Sequence, residues 1–378
     1  MSFVSPAFFI FLVATLWVYW RLERSRQNGL LLAASYAFYA WWDVRFLGLI
    51  VASSAVDYYC GGRIDRSERA PERRRFLALS LACNLGILGY FKYYNFFADS
   101  FFALVSSFGF ADNFVTRTVL LPVGISFYTF QTLSYTIDIY RRRLRPAASP
   151  VEFFAFVSFF PQLVAGPIER AAHLLPQFRD KRTNDPARVP AALRLILLGY
   201  FKKVAIADPL GHHFVDPIYA DLAQASLGEI VCATVAFTFQ IYADFSAYSN
   251  IAVGVARLFG FELVTNFERP FFASSPADFW RRWHISLSTW FRDFVYIPLG
   301  GSRAGSWRHV RNLLVTFGLS GLWHGANWTF VSWGLLHGVT IAMSTWTPRA
   351  VGRLGLTTLP TVPRALKILA SFCFICLT

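Results

Sequence analysis

GLWHGANWTF, residues 321–330, sits inside a run apolar enough to cross a bilayer, yet it sets a histidine between tryptophan and glycine. Ionisable side chains in hydrocarbon are costly: Asp, Lys or Arg at a helix centre costs roughly 2.5–3.5 kcal/mol on insertion scales. Neutral imidazole costs less but still needs a partner. The stretch therefore raises two questions together: whether the chain belongs in a membrane, and what His324 does there.

The rest of the sequence answers the first. Of its 378 residues 55% are hydrophobic and 18% aromatic, and only 15% are charged, against about 25% in soluble domains. Apolar stretches fall at 4–20, 30–42, 46–60, 76–91, 96–109, 118–139, 151–168, 191–207, 228–243, 246–261, 311–322, 327–344 and 366–378. Several are shorter than the ~20 residues a perpendicular span needs. Some are therefore expected to be tilted, broken or re-entrant, which is tolerated only where irregular backbone faces protein or a wet cavity. The expectation is an all-α, polytopic membrane protein with about 10–12 transmembrane or re-entrant helices around an internal funnel. The first span has no A-x-A-like cleavage site after it and reads as retained. LKILASFCFICLT, 366–378, stops within an apolar run, so residues 1–378 read as one membrane domain cut short at its C-terminus.

A net charge of +14 would suit a nucleic-acid partner only if the basic residues shared one surface, and here apolar spans separate them. They collect in loops instead. Arg63 to Arg75 holds six Arg against three acids, Arg141 to Arg145 four Arg and no acid, and Arg269 to Arg311 seven Arg against two Asp. Such loops mark the cytoplasmic side. RLERSR at 21–26 then puts the N-terminus outside, and the 63–75 loop falls inside as it should. Arg141–Arg145 falls outside if every apolar stretch crosses, so one stretch between 76 and 139 is expected to be re-entrant. Segment 96–109, with Asp99, is the candidate. Cys60, Cys83 and Cys232 are isolated, and Cys373 and Cys376 lack the βαβ setting of a redox pair, so all five cysteines read as small apolar residues of helices.

The 262–310 segment is too charged to span and too aromatic for a plain solvated loop. Ser275, Pro276 and Asp278 read as a helix start, with the helix predicted to run to about Tyr296. Trp280, Trp283, Leu287, Trp290 and Phe291 recur at three- and four-residue steps and give it one apolar face. Arg281, Arg282, Ser288, Arg292 and Asp293 lie mostly on other faces. This describes an amphipathic, cytoplasmic or re-entrant element, with His284 at the edge of its apolar face.

Of the seven histidines, His173, His212, His213 and His309 sit in polar or Pro/Gly-containing stretches that read as loops, and His337 suits a helix-packing hydrogen bond. His324 differs. Gly321 and Gly325 flank it with a G-x-x-x-G spacing that lets a backbone or a substrate come close, and Trp323, Asn327 and Trp328 offer stacking and hydrogen bonding. A packing histidine and a functional one both fit at this point. No G-x-S-x-G elbow, phosphate-binding loop or dinucleotide fingerprint is present, and no H-E-x-x-H or tight Cys/His cluster offers a metal site. What remains is a membrane enzyme with histidine acid–base chemistry, or a transporter.

QIYADFSAYSNIAVGVARLFGF (240–261), FWRRWHISLSTWFRDFVYIPLGGSR (279–303) and GLWHGANWTFVSWGLLHG (321–338) closely resemble the membrane-bound O-acyltransferase (MBOAT) family, and within it the bacterial alginate O-acetyltransferase branch. FVSFFPQLVAGPIER (156–170) resembles a further family motif. The resemblance implies a ring of helices around a funnel, with the family histidine at His324 and a second polar position at His284. It implies acyl transfer without a bound cofactor: acetyl-CoA or another thioester donor arrives from the cytoplasm, and His324 removes the proton of an exopolysaccharide hydroxyl. His284 would orient the reactants or stabilise the oxyanion. Arg281 and Arg282 would attract a phosphate-bearing donor or anchor the helix on membrane lipid. Trp323, Asn327, Asp244, Tyr248 and Asn250 would line the funnel, with helix–helix hydrogen bonding an even alternative for the last three. Partners implied by the family are periplasmic esterase-like acetylation proteins of the SGNH type, and the implied location is the bacterial cell inner membrane.

Two departures stand out. Ala247 replaces a common family Gly and Asn250 a common Asp, which loosens the link to alginate while leaving both histidines in place. A related branch transfers D-alanine from a carrier protein to teichoic acid, but the YIPLGGSR stretch looks more like the polysaccharide-acetylating branch. A transporter or flippase with His324 as proton relay is the rival of another class.

Overall fold

The computed structural model describes residues 1–109, 118–163, 165–303, 305–353 and 362–378. Among these there are helices and turns but no strand. The chain divides into two compact units, Met1–Arg194 with Ala252–Leu263, and Leu195–Ile251 with Val264–Thr378.

In the first unit α1 (Pro6–Tyr19) starts on Ser5, whose hydroxyl accepts the Phe8 N–H, with Pro6 in the first turn where its missing N–H costs nothing. Then follow α2 (Arg24–Ala40), α3 (Val44–Arg66) and α4 (Ala70–Ser107). The course of α4 corrects the sequence reading. Segment 96–109 is not re-entrant: through Ser107 it continues the helix begun by 76–91, across a π-helical turn at Gly89–Tyr93. Counted as one crossing, the two stretches remove the parity mismatch at Arg141–Arg145. The unit is completed by α5 (Ile125–Tyr140), α6 (Pro150–Ser158) and α7 (Ala171–Arg179).

Where α3, α4 and α5 meet, the polar groups serve one another. Asp57, wholly buried, accepts from Ser80 Oγ at 2.6 Å and from Asn84 Nδ2 at 2.8 and 2.9 Å, while Asn84 Oδ1 accepts from Ser53 and Thr132. A buried carboxylate is tolerable only when its lone pairs are occupied in this way.

Arg182 locks the same unit. Only 8% exposed, it donates to Asn28 Oδ1 (2.7 Å), to Gln27 Oε1 and to the carbonyls of Gln177 and Arg24, with its guanidinium 5.0 Å over the Phe261 ring. Arg182→Leu strands several of these oxygens, each worth about 1–3 kcal/mol when buried unpaired. Thermal unfolding in detergent is expected to show a loss of about 3 kcal/mol or more. Arg182→Lys should recover less than half of it, since a single ammonium cannot reproduce the planar fork.

The second unit takes over within α8 (Val189–Phe201). It continues through π-helical stretches at Lys202–Ala207 and Gly211–Val215 into α9 (Leu227–Leu258), whose residues from Ala252 belong to the first unit. Here too the sequence reading divides one helix into two, 228–243 and 246–261. The apparent interruption consists of Asp244 and Ser246, and each meets a lysine of the π-helical stretch: Asp244 pairs with Lys203 at 2.8 Å, and Ser246 accepts from Lys202 at 3.2 Å. With partners in place the helix continues. Both α4 and α9 are long and apolar enough to cross a membrane.

Beyond lie α10 (Pro276–Arg282), α11 (Ile285–Phe291), α12 (Ser306–His324), α13 (Trp328–Arg353) and α14 (Arg364–Cys376). Phe279 and Trp280 of α10 pack with Leu313 of α12 and with Ile341 and Ala342 of α13. The hairpin of α12 and α13 closes through glycine. A Cβ on Gly321 would overlap the Phe330 carbonyl oxygen, and one on Gly334 the Phe317 carbonyl oxygen. All five cysteines are free thiols on helices, in keeping with their reading as small apolar residues.

Candidate active site

The helix start at Ser275 is as the sequence predicts: its Oγ accepts the Asp278 N–H at 3.2 Å. The predicted continuation to Tyr296 is not. The helix stops at Arg282, and His284 takes a left-handed backbone, φ 43°, before α11 begins. The cause lies in the preceding segment. Asn266 accepts the Ile285 N–H on its carbonyl at 2.9 Å, and its Oδ1 accepts from the Ser286 hydroxyl at 2.9 Å and from the Ser286 N–H at 3.3 Å. Glu268 N–H donates to the Arg282 carbonyl at 2.9 Å. These bonds replace the intrahelical ones the break removes. Asn266 is itself held on α9 by Ser249, at 3.2 Å.

The break turns His284 inward. Its ring is wholly buried, and neither nitrogen has a hydrogen-bond partner among the described residues. It packs edge-on to Phe245 of α9 at 4.7 Å between centroids, with Trp323 at 5.9 Å and His324 at 6.1 Å. His324 is the last residue of α12, half-buried, with Trp323 edge-on at 5.0 Å and Trp333 of α13 at 5.3 Å. Two imidazoles thus share one aromatic cage, an arrangement able to take up, hold and return a proton.

The other candidates divide. Trp323 is buried beside both histidines. Asn327 is exposed and caps α13, accepting the Thr329 N–H at 3.0 Å. Arg281 and Arg282 pair with Asp278 at 3.4 and 3.1 Å. Asp244 and Tyr248 gather on Lys203, and Asn250 is half-buried further along α9.

His337 accepts from Trp280 Nε1 at 3.3 Å, the packing bond expected of it. The loop reading of four histidines needs correction. His309 is buried in the first turn of α12, 2.8 Å from the Tyr296 hydroxyl, and His212 and His213 lie in the π-helical Gly211–Val215. His173 sits in α7, its Nδ1 2.7 Å from the buried Glu169 carboxylate, whose hydrogen bond holds the imidazole above its ordinary pKa. Proline and glycine nearby disguised these helices.

The sequence reading does not single out Trp333, Lys203 or Asn266. Trp333 carried a signal, since it stands four residues before His337 on one helical face. Lys203 and Asn266 carried none, because their partners are distant in sequence.

The family model of MBOAT, the membrane-bound O-acyltransferase family, matches residues 139–378. The chain is 44% identical over 345 residues to the probable alginate O-acetylase AlgI of Azotobacter vinelandii, covering 91% of this chain and 68% of that protein. It is 35% identical over 407 residues to the peptidoglycan O-acetyltransferase of Helicobacter pylori, covering 99% and 75%. To the teichoic acid D-alanyltransferase of Streptococcus thermophilus it is 28% identical over 245 residues, covering 61% and 58%.

Proposed function

The chain belongs to the membrane-bound O-acyltransferase family, and on that premise we propose that it moves an acetyl group from a cytoplasmic thioester to hydroxyls of an exported, alginate-like polysaccharide. The observation that carries the reading is the pair His324 and His284, 6.1 Å apart between ring centroids in a cage of aromatic rings. Acetyl-CoA is the proposed donor, periplasmic esterase-like acetylation proteins the partners that would take the group onward, and the multi-pass inner membrane the location. A funnel reaching the histidines from both faces belongs to the same proposal. The higher identity to the two O-acetyltransferring relatives than to the D-alanyltransferase supports acetyl over D-alanyl.

In this mechanism neutral His324 accepts the proton of the acceptor hydroxyl as its oxygen attacks the thioester carbonyl, a contribution typically worth ~10²–10⁴ in rate. Charge collects on the carbonyl oxygen, and an N–H of His284 stabilises it. Collapse breaks the C–S bond, the ester forms, and the leaving thiolate takes the proton from His324. Arg281 and Arg282, whose charges are only partly engaged by Asp278, offer the donor's phosphates a counter-charge.

The test is mass analysis of the polysaccharide from cells carrying wild type or His324→Ala at matched membrane levels. Acetyl is expected on the wild-type polymer and absent with the variant; acetyl retained by the variant sinks the mechanism. D-alanyl esters in its place would move the chain to the teichoic acid branch, and polymer flux without ester formation would make it a transporter.

A further inference from the structure

Lys202–Ala207 and Gly211–Val215 are two π-helical stretches either side of Asp208–Leu210. Such irregular turns are rare and recur at functional sites. Against them α9 presents Gln240, Asp244 and Tyr248 at four-residue steps, hence on one face. Lys203 Nζ lies 2.6 Å from Asp208 Oδ1, 2.8 Å from Asp244 Oδ1 and 5.5 Å from the centre of the Tyr248 ring.

A purely structural ion pair in a span would be closed off. This one is half open. Asp244 Oδ1 is buried on the lysine, yet the side chain as a whole is 39% exposed and that of Asp208 38%, which leaves a carboxylate oxygen open. Gln240 Oε1 is buried with no hydrogen-bond partner among the described residues, and its amide nitrogen fills the space a Cβ on Gly211 would need. Ionisable groups in a span mark a route for substrate or ions, and α9 qualifies as a span.

The groups on offer are carboxylate oxygens that accept, an ammonium that donates and the face of a tyrosine ring, with the partnerless Gln240 amide oxygen buried behind them. A ring bearing several hydroxyls on an apolar C–H face matches that set: its O–H groups donate to the open oxygens while the ring lies on the aromatic face. Phe245, the residue after Asp244, packs against His284 from the next face of the same helix. We propose that Gln240, Asp244, Tyr248, Lys203 and Asp208 form a saccharide subsite that holds a sugar unit of the acceptor. The inference rests on the polysaccharide reading above and adds where the acceptor is gripped.

The test titrates the chain in lipid nanodiscs with de-O-acetylated alginate oligosaccharides by calorimetry, and separately with acetyl-CoA. The variants are Asp244→Asn and the exchange Lys203→Asp with Asp244→Lys, which keeps an ion pair and so guards against simple misfolding. Saccharide affinity is expected to fall roughly tenfold or more in Asp244→Asn and in the exchange. Acetyl-CoA affinity should hold in all. Saccharide affinity unchanged in both cluster variants, or a loss confined to acetyl-CoA, overturns the subsite while leaving the acetylation reading to the polymer analysis. Oligosaccharide bound by no protein, wild type included, overturns the subsite and the alginate-like acceptor together.

Discussion

Gly321→Ala is expected to destabilise the protein by about 3 kcal/mol, the upper end for overpacking, and to remove most transferase turnover in the molecules that remain folded. The added Cβ would overlap the Phe330 carbonyl oxygen and would lie 3.2 Å from the Gly334 Cα, so its neighbours are backbone and cannot swing aside. The hairpin of α12 and α13 must open instead. His324 is one turn further along α12, and Trp333, whose ring lies 5.3 Å from it, is carried by α13. Opening the hairpin therefore displaces His324, the proposed base, from its cage, where a shift of about 1 Å can cost ~10² in rate. Gly318→Ala is the control. Its Cβ would meet only the end of the Leu335 side chain, at 3.3 Å, which can rotate; a cost below about 1 kcal/mol is expected. Thermal unfolding in detergent and acetyl transfer on the same samples measure both. Equal effects from the two glycines would refute the argument.

Gly321 and His324 also show how much of the structure is written in the sequence. An apolar run, a histidine that hydrocarbon disfavours and glycines at helical spacing are local signals, and they single out His324 and the close approach at Gly321; the helix end at His324, inside what reads as one apolar run, is not among them. The start of α10 was legible for the same reason, because a serine cap with an acid three residues on is written within one turn. The failures share a cause of the opposite kind. Segment 96–109 and the junction at Asp244 looked like interruptions because a polar residue in an apolar run is costly unless paired. Lys203, the partner of Asp244, stands 41 positions away in sequence, and the sequence carries no mark of that pairing. The break at His284 is likewise imposed from Asn266 and Glu268. An amphipathic period continues across it undisturbed, so periodicity alone predicts one helix where there are two.

His284→Phe is expected to leave the unfolding temperature unchanged or higher while lowering acetyl transfer by about 10²–10³, the usual cost of one oxyanion donor. A buried polar group with no partner costs about 1–3 kcal/mol, and both nitrogens of His284 are in that position among the described residues. A ring without those nitrogens recovers that cost. Against it stands the left-handed φ of 43°, where histidine is tolerated better than a bulky apolar residue, a difference of about 1 kcal/mol. The balance is neutral to favourable for the fold. That outcome, at a residue held on an unfavourable backbone and facing a second histidine, is what the proposed role in chemistry predicts. His284→Asn keeps a donor in a residue that accepts left-handed backbone and should retain more turnover than phenylalanine does. In the double variant with His324→Ala the losses should be far from additive, because the oxyanion forms only when the hydroxyl is activated. A drop in stability of several kcal/mol in His284→Phe, or full turnover in it, would instead make His284 a packing residue and leave His324 to act alone.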